Sequence, residues 1–229
     1  MIAIYSIFLY FRAAFFLLIV SPILIFLPFV STNAIYPFSK FVSQGIFWCF
    51  NIKRQIIGEM PKKSEPYIIM HNHTSFLDLF LIPSIINGKY TGIIAAKNFK
   101  IPLIGLILKR IKGIPIYRKN HNKAIESLRI AENYLKSGYH IAIFPEGTRT
   151  ITGQLNTFKK GGFHMALNTN TKILPIIVQG LYSIKPKTRW TIKPGIVKIT
   201  ILDPINVVNK SVDELMSETR KLYLKNALY

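Results

Sequence analysis

The stretch His71-Asn72-His73-Thr74-Ser75-Phe76-Leu77-Asp78 holds the residue types a proton-transfer site needs. Histidine is the usual general base near neutral pH. A carboxylate five residues after His73 can fold back onto the ring, fixing its tautomer and orientation. The stretch follows an apolar run with strand character and opens a helix. Ser75 and Asp78 also have capping-box spacing, so Asp78 can satisfy the helix start as well as the ring. His71 reads as packing or as support for His73.

Three more constellations could bind. Phe144-Pro145-Glu146-Gly147-Thr148-Arg149 also follows an apolar run, and such turns at strand ends are where α/β proteins place ligands. Acidic residues are scarce in this chain, and Glu146 sits in an apolar, rigid frame, suited to a hydroxyl or to a structural Arg partner. Gly113-Ile114-Pro115-Ile116-Tyr117-Arg118 ends a short strand-like run on an Arg, whose fork suits phosphate. Phe158-Lys159-Lys160-Gly161-Gly162 offers Lys and Gly ahead of a helix, either an anion site or a simple basic turn. There is no Gly-x-Ser-x-Gly elbow, no Walker loop and no dinucleotide fingerprint. The single cysteine, Cys49, allows neither an intrachain disulfide nor a Cys-based zinc site. Without a protein nucleophile, His73 would activate a substrate hydroxyl directly.

The elements that must position these residues alternate between strand and helix. Strand-like runs are Tyr67–His71, Thr91–Ala95, Ile114–Tyr117, His140–Phe144, Ile173–Val178 and Ile196–Ile201. The run Ile173–Val178 reads as a buried strand with Pro175 at its edge. The spacing predicts helices over Leu77–Ile86, Leu103–Ile111, Asn122–Lys136 and Ser211–Leu224, the third stopped by Gly138. The fold class expected is α/β: one sheet flanked by helices, with an N-terminal apolar, membrane-associated helical segment. The organisation expected is a membrane segment over 1–54 and a catalytic domain over 55–229, with a linker near Asn51–Glu65.

Composition agrees with that division. Of 229 residues only 17% are charged, against about 25% in an average soluble domain. Thirty Lys and Arg oppose ten Asp and Glu, a net +20, which suits anionic membrane surfaces, phosphorylated substrates or nucleic acid. The first fifty residues carry only Arg12 and Lys40 as charges, so nearly all of the excess lies in the body. Ala13–Val30 is uncharged, about the minimum for a spanning helix, and Pro22 and Pro28 interrupt it. A kinked spanning helix, a pair of helices dipping into one leaflet with Ile35–Phe50, a cleaved signal peptide and a core helix of a wholly soluble protein are the competing readings. The basic body places the rest on the cytoplasmic side of the inner membrane, held against anionic head groups.

Together these motifs resemble the glycerolipid acyltransferases, in particular the 1-acyl-sn-glycerol-3-phosphate acyltransferase family, over about residues 55–180. The family's first motif, His, four residues, Asp, is matched by His73 and Asp78. Its second is matched by Gly113 and Arg118, its third by Phe144–Arg149 and its fourth around Pro175. Ala96-Lys97 before Ile101-Pro102 is similar to the family too. Thr150, where Ser is common, and Pro115 inside the second motif depart from it. The resemblance implies acyl transfer from a thioester, acyl-CoA or acyl carrier protein, to the sn-2 hydroxyl of a membrane lysophosphatidate. His73 is then the base and Asp78 its orienting partner. It also implies acceptor binding by Glu146, Gly147, Gly113 and Arg118, with Thr148 in the same turn and Arg149 and Lys97 as lesser phosphate candidates. No metal or further cofactor and no nucleic-acid partner are expected. The rivals are acylation of another lysolipid, such as lyso-ornithine lipid, and a non-catalytic membrane-bound binding protein.

Overall fold

A computed structural model of the chain describes residues 1–31, 33–61, 65–102 and 104–226. Two apolar helices come first, α1 (Ile2–Val30) and α2 (Ile35–Cys49). Then follow β1 (Ile52–Ile57), β2 (Ile68–His71), α3 (Asp78–Ile85), β3 (Tyr90–Ala95), α4 (Ile104–Arg110), β4 (Ile114–Ile116) and α5 (His121–Lys136). The chain ends with β5 (His140–Ile143), α6 (Gly161–Asn168), β6 (Ile173–Gln179), α7 (Leu181–Ile184), β7 (Gly195–Ile201) and α8 (Val212–Asn226).

Among the described residues the seven strands form one sheet, in the order β1-β7-β6-β2-β5-β3-β4. Every pairing is parallel except β6 with β7. The central strands β2 and β6 are continuous apolar runs because helices cover both faces of the sheet. Side chains alternate along β2. Ile69 points to a core shared with α1, α2 and α3, while Ile68 and Met70 point to one shared with α5, α6 and α8. The result is three layers, helix on sheet on helix.

All six expected strands and the four expected body helices form, with ends shifted by one or two residues. Leu103, the expected start of α4, lies outside the described residues. The expected linker is a correction. Ile52–Ile57 inside it is an edge strand, in parallel register with β7 from Ile52↔Gly195 to Ile57↔Thr200, and it crosses position 54. Its mixed pattern of charged and apolar residues hid it, because an edge strand buries little; residues 62–64 lie outside the described part. Pro115 is accommodated because β4 is the opposite edge strand, paired only to β3. Pro175, by contrast, is in an interior strand. Its carbonyl accepts from Leu202 N (3.1 Å), just beyond the β6–β7 ladder, so the missing N–H faces the place where β7 stops pairing.

The N-terminal helices form part of the helical layer over the sheet. Leu9, Ile46, Phe47 and Cys49 are fully enclosed in the same core as Leu174 and Ile176 of β6. Arg12, the one charge of α1, caps the far end of α2: it donates to the carbonyls of Cys49 (2.8 Å) and Trp48 and to Asn51 Oδ1 (2.9 Å). The opposite face of α1 shows solvent an unbroken apolar stripe, Ile4, Phe8, Phe11, Phe15, Leu18, Phe26 and Phe29, each more than half exposed. The helix is long and apolar enough over Ile2–Leu27 to cross a membrane by length and composition.

Candidate active site

Neighbouring parallel strands bring the two main motifs together. β2 and β5 run in register from Ile68↔Ile141 to Met70↔Ile143, so their following loops leave the same edge of the sheet. Asn72 fixes the first loop as it leaves. Its side chain donates to Val178 O (2.8 Å) and accepts from Val178 N (2.8 Å), standing in for one more rung of the β2–β6 ladder.

The backbone of His73 is then gripped by the second loop. His73 N donates to Glu146 Oε1 (2.7 Å), and Thr150 N donates to His73 O (2.9 Å). The ring is gripped independently. Nδ1 donates to Asp78 Oδ2 (2.8 Å), and one face stacks on Phe144 at 3.6 Å between ring centres, 13° from parallel. The same Asp78 oxygen accepts the amides of Thr74 (2.7 Å) and Ser75 (2.9 Å). Three donors on one oxygen suit an ionised carboxylate, and an ionised carboxylate assigns the ring proton to Nδ1. Nε2 is left with its lone pair, while the His73 side chain keeps 12% exposure against 0% for Asp78. Asp78 thus holds the ring and also closes the turn ahead of the helix, whose own first turn has no side-chain cap.

Glu146 is buried, and each oxygen takes one backbone amide: His73 N on Oε1 and Asn156 N (2.8 Å) on Oε2. Among the described residues no Arg is one of its hydrogen-bond partners. Loss of water pushes its carboxyl up from 4.5 to about 7, against the two amide bonds that favour the charged form. Gly147 follows with φ +68°, and its amide closes the turn onto Phe144 O (3.0 Å); a side chain there would be strained. His71, two residues before His73 at the end of β2, is enclosed against Phe144 (4.5 Å between rings), and burial pushes its imidazole down to about 4.

Beside the second turn lies a cleft of about 500 Å³, lined by Arg118, Glu146, Gly147, Thr148 and Lys159 among apolar neighbours. Among the described residues no group of three or more His, Cys, Asp or Glu side chains converges as a metal site would.

A family model described as Acyltransferase matches residues 53–179, more than half of the chain and all of the corner just described. The chain belongs to the acyltransferase family. It is 31% identical to the chloroplastic 1-acyl-sn-glycerol-3-phosphate acyltransferase of Arabidopsis thaliana over 82% of its own length and 49% of that protein's. It is 30% identical to the 1-acyl-sn-glycerol-3-phosphate acyltransferase of Saccharomyces cerevisiae, over 70% of this chain and 54% of that one. The chain thus spans about half the length of these relatives. The crystal structure of the 1-acyl-sn-glycerophosphate acyltransferase PlsC from Thermotoga maritima shares its fold. The TM-score is 0.86 at 24% identity, with both chains fully covered.

The expected site residues divide into three groups. His73, Asp78 and Glu146 meet at one corner, and Arg118, Gly147 and Thr148 line the cleft next to it. Gly113, Lys97 and Arg149 do neither. A Cβ on Gly113 would stand 3.0 Å from Leu108 O and 3.2 Å from the Phe99 ring, so Gly113 permits close packing. Lys97 lies on the short turn Ala96–Lys100, away from the cleft lining. Three residues of the corner had not been singled out: Asn72, Asn156 and Phe144 as a stacking surface. A pair formed across 106 residues, as Asn72 with Val178, leaves no local pattern.

Proposed function

We propose that the protein transfers an acyl group from a thioester, acyl-CoA or acyl carrier protein, to the sn-2 hydroxyl of 1-acyl-glycerol-3-phosphate, giving phosphatidate. The observation that carries this is the His73 ring, fixed on Nδ1 by Asp78 and on its face by Phe144, which also lines the cleft, so that Nε2 keeps its lone pair. In this mechanism Nε2 takes the hydroxyl proton as that oxygen attacks the thioester carbonyl. The Asp78 carboxylate stabilises the imidazolium that forms, and the proton then leaves with the thiolate. Two points of a rigid corner align base and acceptor, which supplies the entropic part of the rate gain. Arg118, with Lys159 across the cleft, supplies cations for substrate phosphate.

The acceptor and product are lipids, and the helices supply the contact with them. α1 is about 43 Å long for its 29 residues. It is tied to the body near both ends. Tyr10 donates to Trp190 O (2.7 Å) and Ser6 to Ile192 O (3.1 Å), while Arg110 lies 4.0 Å over the Phe29 ring. A spanning helix would carry the body at one end only. We therefore read α1 and α2 as a hairpin sunk in one leaflet by its apolar stripe, with the basic body on the cytoplasmic face of the inner membrane.

The test is transfer from acyl-CoA and from acyl carrier protein to lysophosphatidate in vesicles. Phosphatidate from the wild type and not from His73→Ala, with vesicle binding equal in both, is the expected result. Transfer by His73→Ala at the wild-type rate would overturn the base assignment. Transfer only to a lysolipid without phosphate would overturn the substrate.

A further inference from the structure

A second apolar recess lies on the other side of the His73–Asp78 turn. It is a groove of about 200 Å³ with almost no polar surface. One wall is the strip Tyr10, Ala14 and Leu17 of α1, spaced i, i+4, i+7. The other is Phe76 and Phe80 of the turn and α3, and Phe50 closes the floor. Along α1 the strip is about 10 Å long. It runs one residue behind the exposed stripe Phe11, Phe15 and Leu18, so the groove opens on the membrane-facing side.

One of its wall residues carries a cation on its ring. Phe76, between His73 and Asp78, has the Lys185 ammonium 5.8 Å from its ring centre. Lys185 is held in place by the carbonyls of Pro186 (3.0 Å) and Arg189. Burial, and then the nearby guanidinium groups of Arg149 and Arg189, push its ammonium below the ordinary lysine range. Arg189 is occupied by the carbonyls of Ser183, Ile184 and Thr191. Among the described residues, no carboxylate pairs with Arg149, Lys185 or Arg189, and no hydrogen bond occupies the Arg149 guanidinium. Positive groups without a counter-ion beside an apolar channel fit an amphiphile with an anionic head.

We propose that this groove holds the acyl chain of the lysolipid acceptor, with the acceptor's phosphate on Arg149 and Lys185. The inference rests on the acyltransferase assignment and names the acceptor's place within it. The chain would enter from the leaflet along α1, and the head would stop beside Phe76, with the free hydroxyl on the His73 side of the turn. The donor's phosphates are left with the cleft at Arg118 and Lys159.

Ala14→Phe fills the groove from an exposed helix position, where the larger side chain meets no core. The acceptor KM is read for an 18-carbon and a 6-carbon lysophosphatidate. The ratio of the two should shift roughly tenfold against the long chain, as losing the burial of two methylene groups does. Arg149→Ala should raise both KM values together. An unchanged ratio in Ala14→Phe overturns the proposal. A second measurement does not depend on turnover. Lysophosphatidate with a diazirine in its chain is photolysed with the wild-type protein in vesicles, and the labelled residues are mapped. Label on α1 between Tyr10 and Leu17 or on Phe80 supports the groove. Label only around Arg118, or equal labelling by a diacyl phosphatidylcholine probe, overturns it. Absence of transfer to any lysolipid alongside groove labelling would refute the enzymatic assignment and leave the lipid site standing.

Discussion

The turn after β2 and the turn after β5 leave adjacent parallel strands at one sheet edge, and each brings a carboxylate to His73. Asp78 touches the part that would react: its Oδ2 holds Nδ1 of the ring and so decides which nitrogen is free. Glu146 touches the part that does not move. It takes His73 N on one oxygen and Asn156 N on the other, cross-linking two loops through their backbones. The same side-chain chemistry thus sets protonation in one turn and position in the other. What differs is the donor each oxygen meets, a titratable ring or a fixed amide.

The comparison is tested most severely by removing each charge in turn. Asp78→Asn should lower kcat by about 10³–10⁴, the range lost when a histidine base takes the wrong tautomer. Its stability should change by only about 1 kcal/mol, because an amide oxygen still accepts from Thr74 and Ser75. Glu146→Ala should do the reverse. It strips the acceptor from the His73 and Asn156 amides, so thermal unfolding in detergent should report a loss of about 3 kcal/mol. Its kcat should fall less than that of Asp78→Asn, since the ring keeps its partner. Equal losses of rate and stability in both variants would erase the distinction.

A smaller effect separates Glu146 from the buried histidine on the same corner. Burial holds Glu146 up at about 7 from 4.5 and His71 down at about 4 from 6.5. Between 4.5 and 7 the folded chain keeps a proton on Glu146 that the unfolded chain has released, so this group makes stability fall as pH rises. Between 4 and 6.5 the unfolded chain binds a proton on His71 that the folded chain refuses, so this group makes stability rise with pH. Each contribution is about 3 kcal/mol at most, and they oppose one another. The wild type should therefore show a shallow Tm profile from pH 4.5 to 6.5. His71→Phe should slope downward with pH over that window, and Glu146→Gln upward. Parallel profiles for all three proteins would show that neither group is held as its burial implies.

How much of this was legible in the sequence depends on the range of the interaction. The His73–Asp78 pair was, because both partners lie in one turn and their spacing carries the geometry. The meeting of that turn with Phe144–Arg149 was legible only through the resemblance, since nothing local says that β2 and β5 are neighbours. Glu146 was read toward a hydroxyl or an Arg, while the structure shows two backbone amides holding it. Backbone donors have no sequence signature, so Asn156 could not have been named. The strand Ile52–Ile57 was missed for a related reason. As an edge strand it shows mostly exposed residues, and its partner begins more than 140 residues later, at Gly195.

The smallest effect asks whether the two flanks of the Glu146 turn are as different as the turns themselves. Arg118 faces the cleft, and Arg149 acts on Lys185 near Phe76 on the other flank. The sequence resemblance puts the acceptor phosphate first on Arg118, with Arg149 a lesser candidate, whereas the groove puts it on Arg149. Each Arg→Ala change should raise one KM by about tenfold, the equivalent of one charge-assisted hydrogen bond. If the flanks are divided as the groove implies, Arg118→Ala raises the KM of the thioester and Arg149→Ala that of lysophosphatidate. The kcat values should hold within a few-fold, because neither guanidinium touches the ring. A rise in acceptor KM for Arg118→Ala alone would return the acceptor to the cleft. Both phosphates would then lie on one flank, and Lys185 would serve only the loop whose carbonyls it already holds.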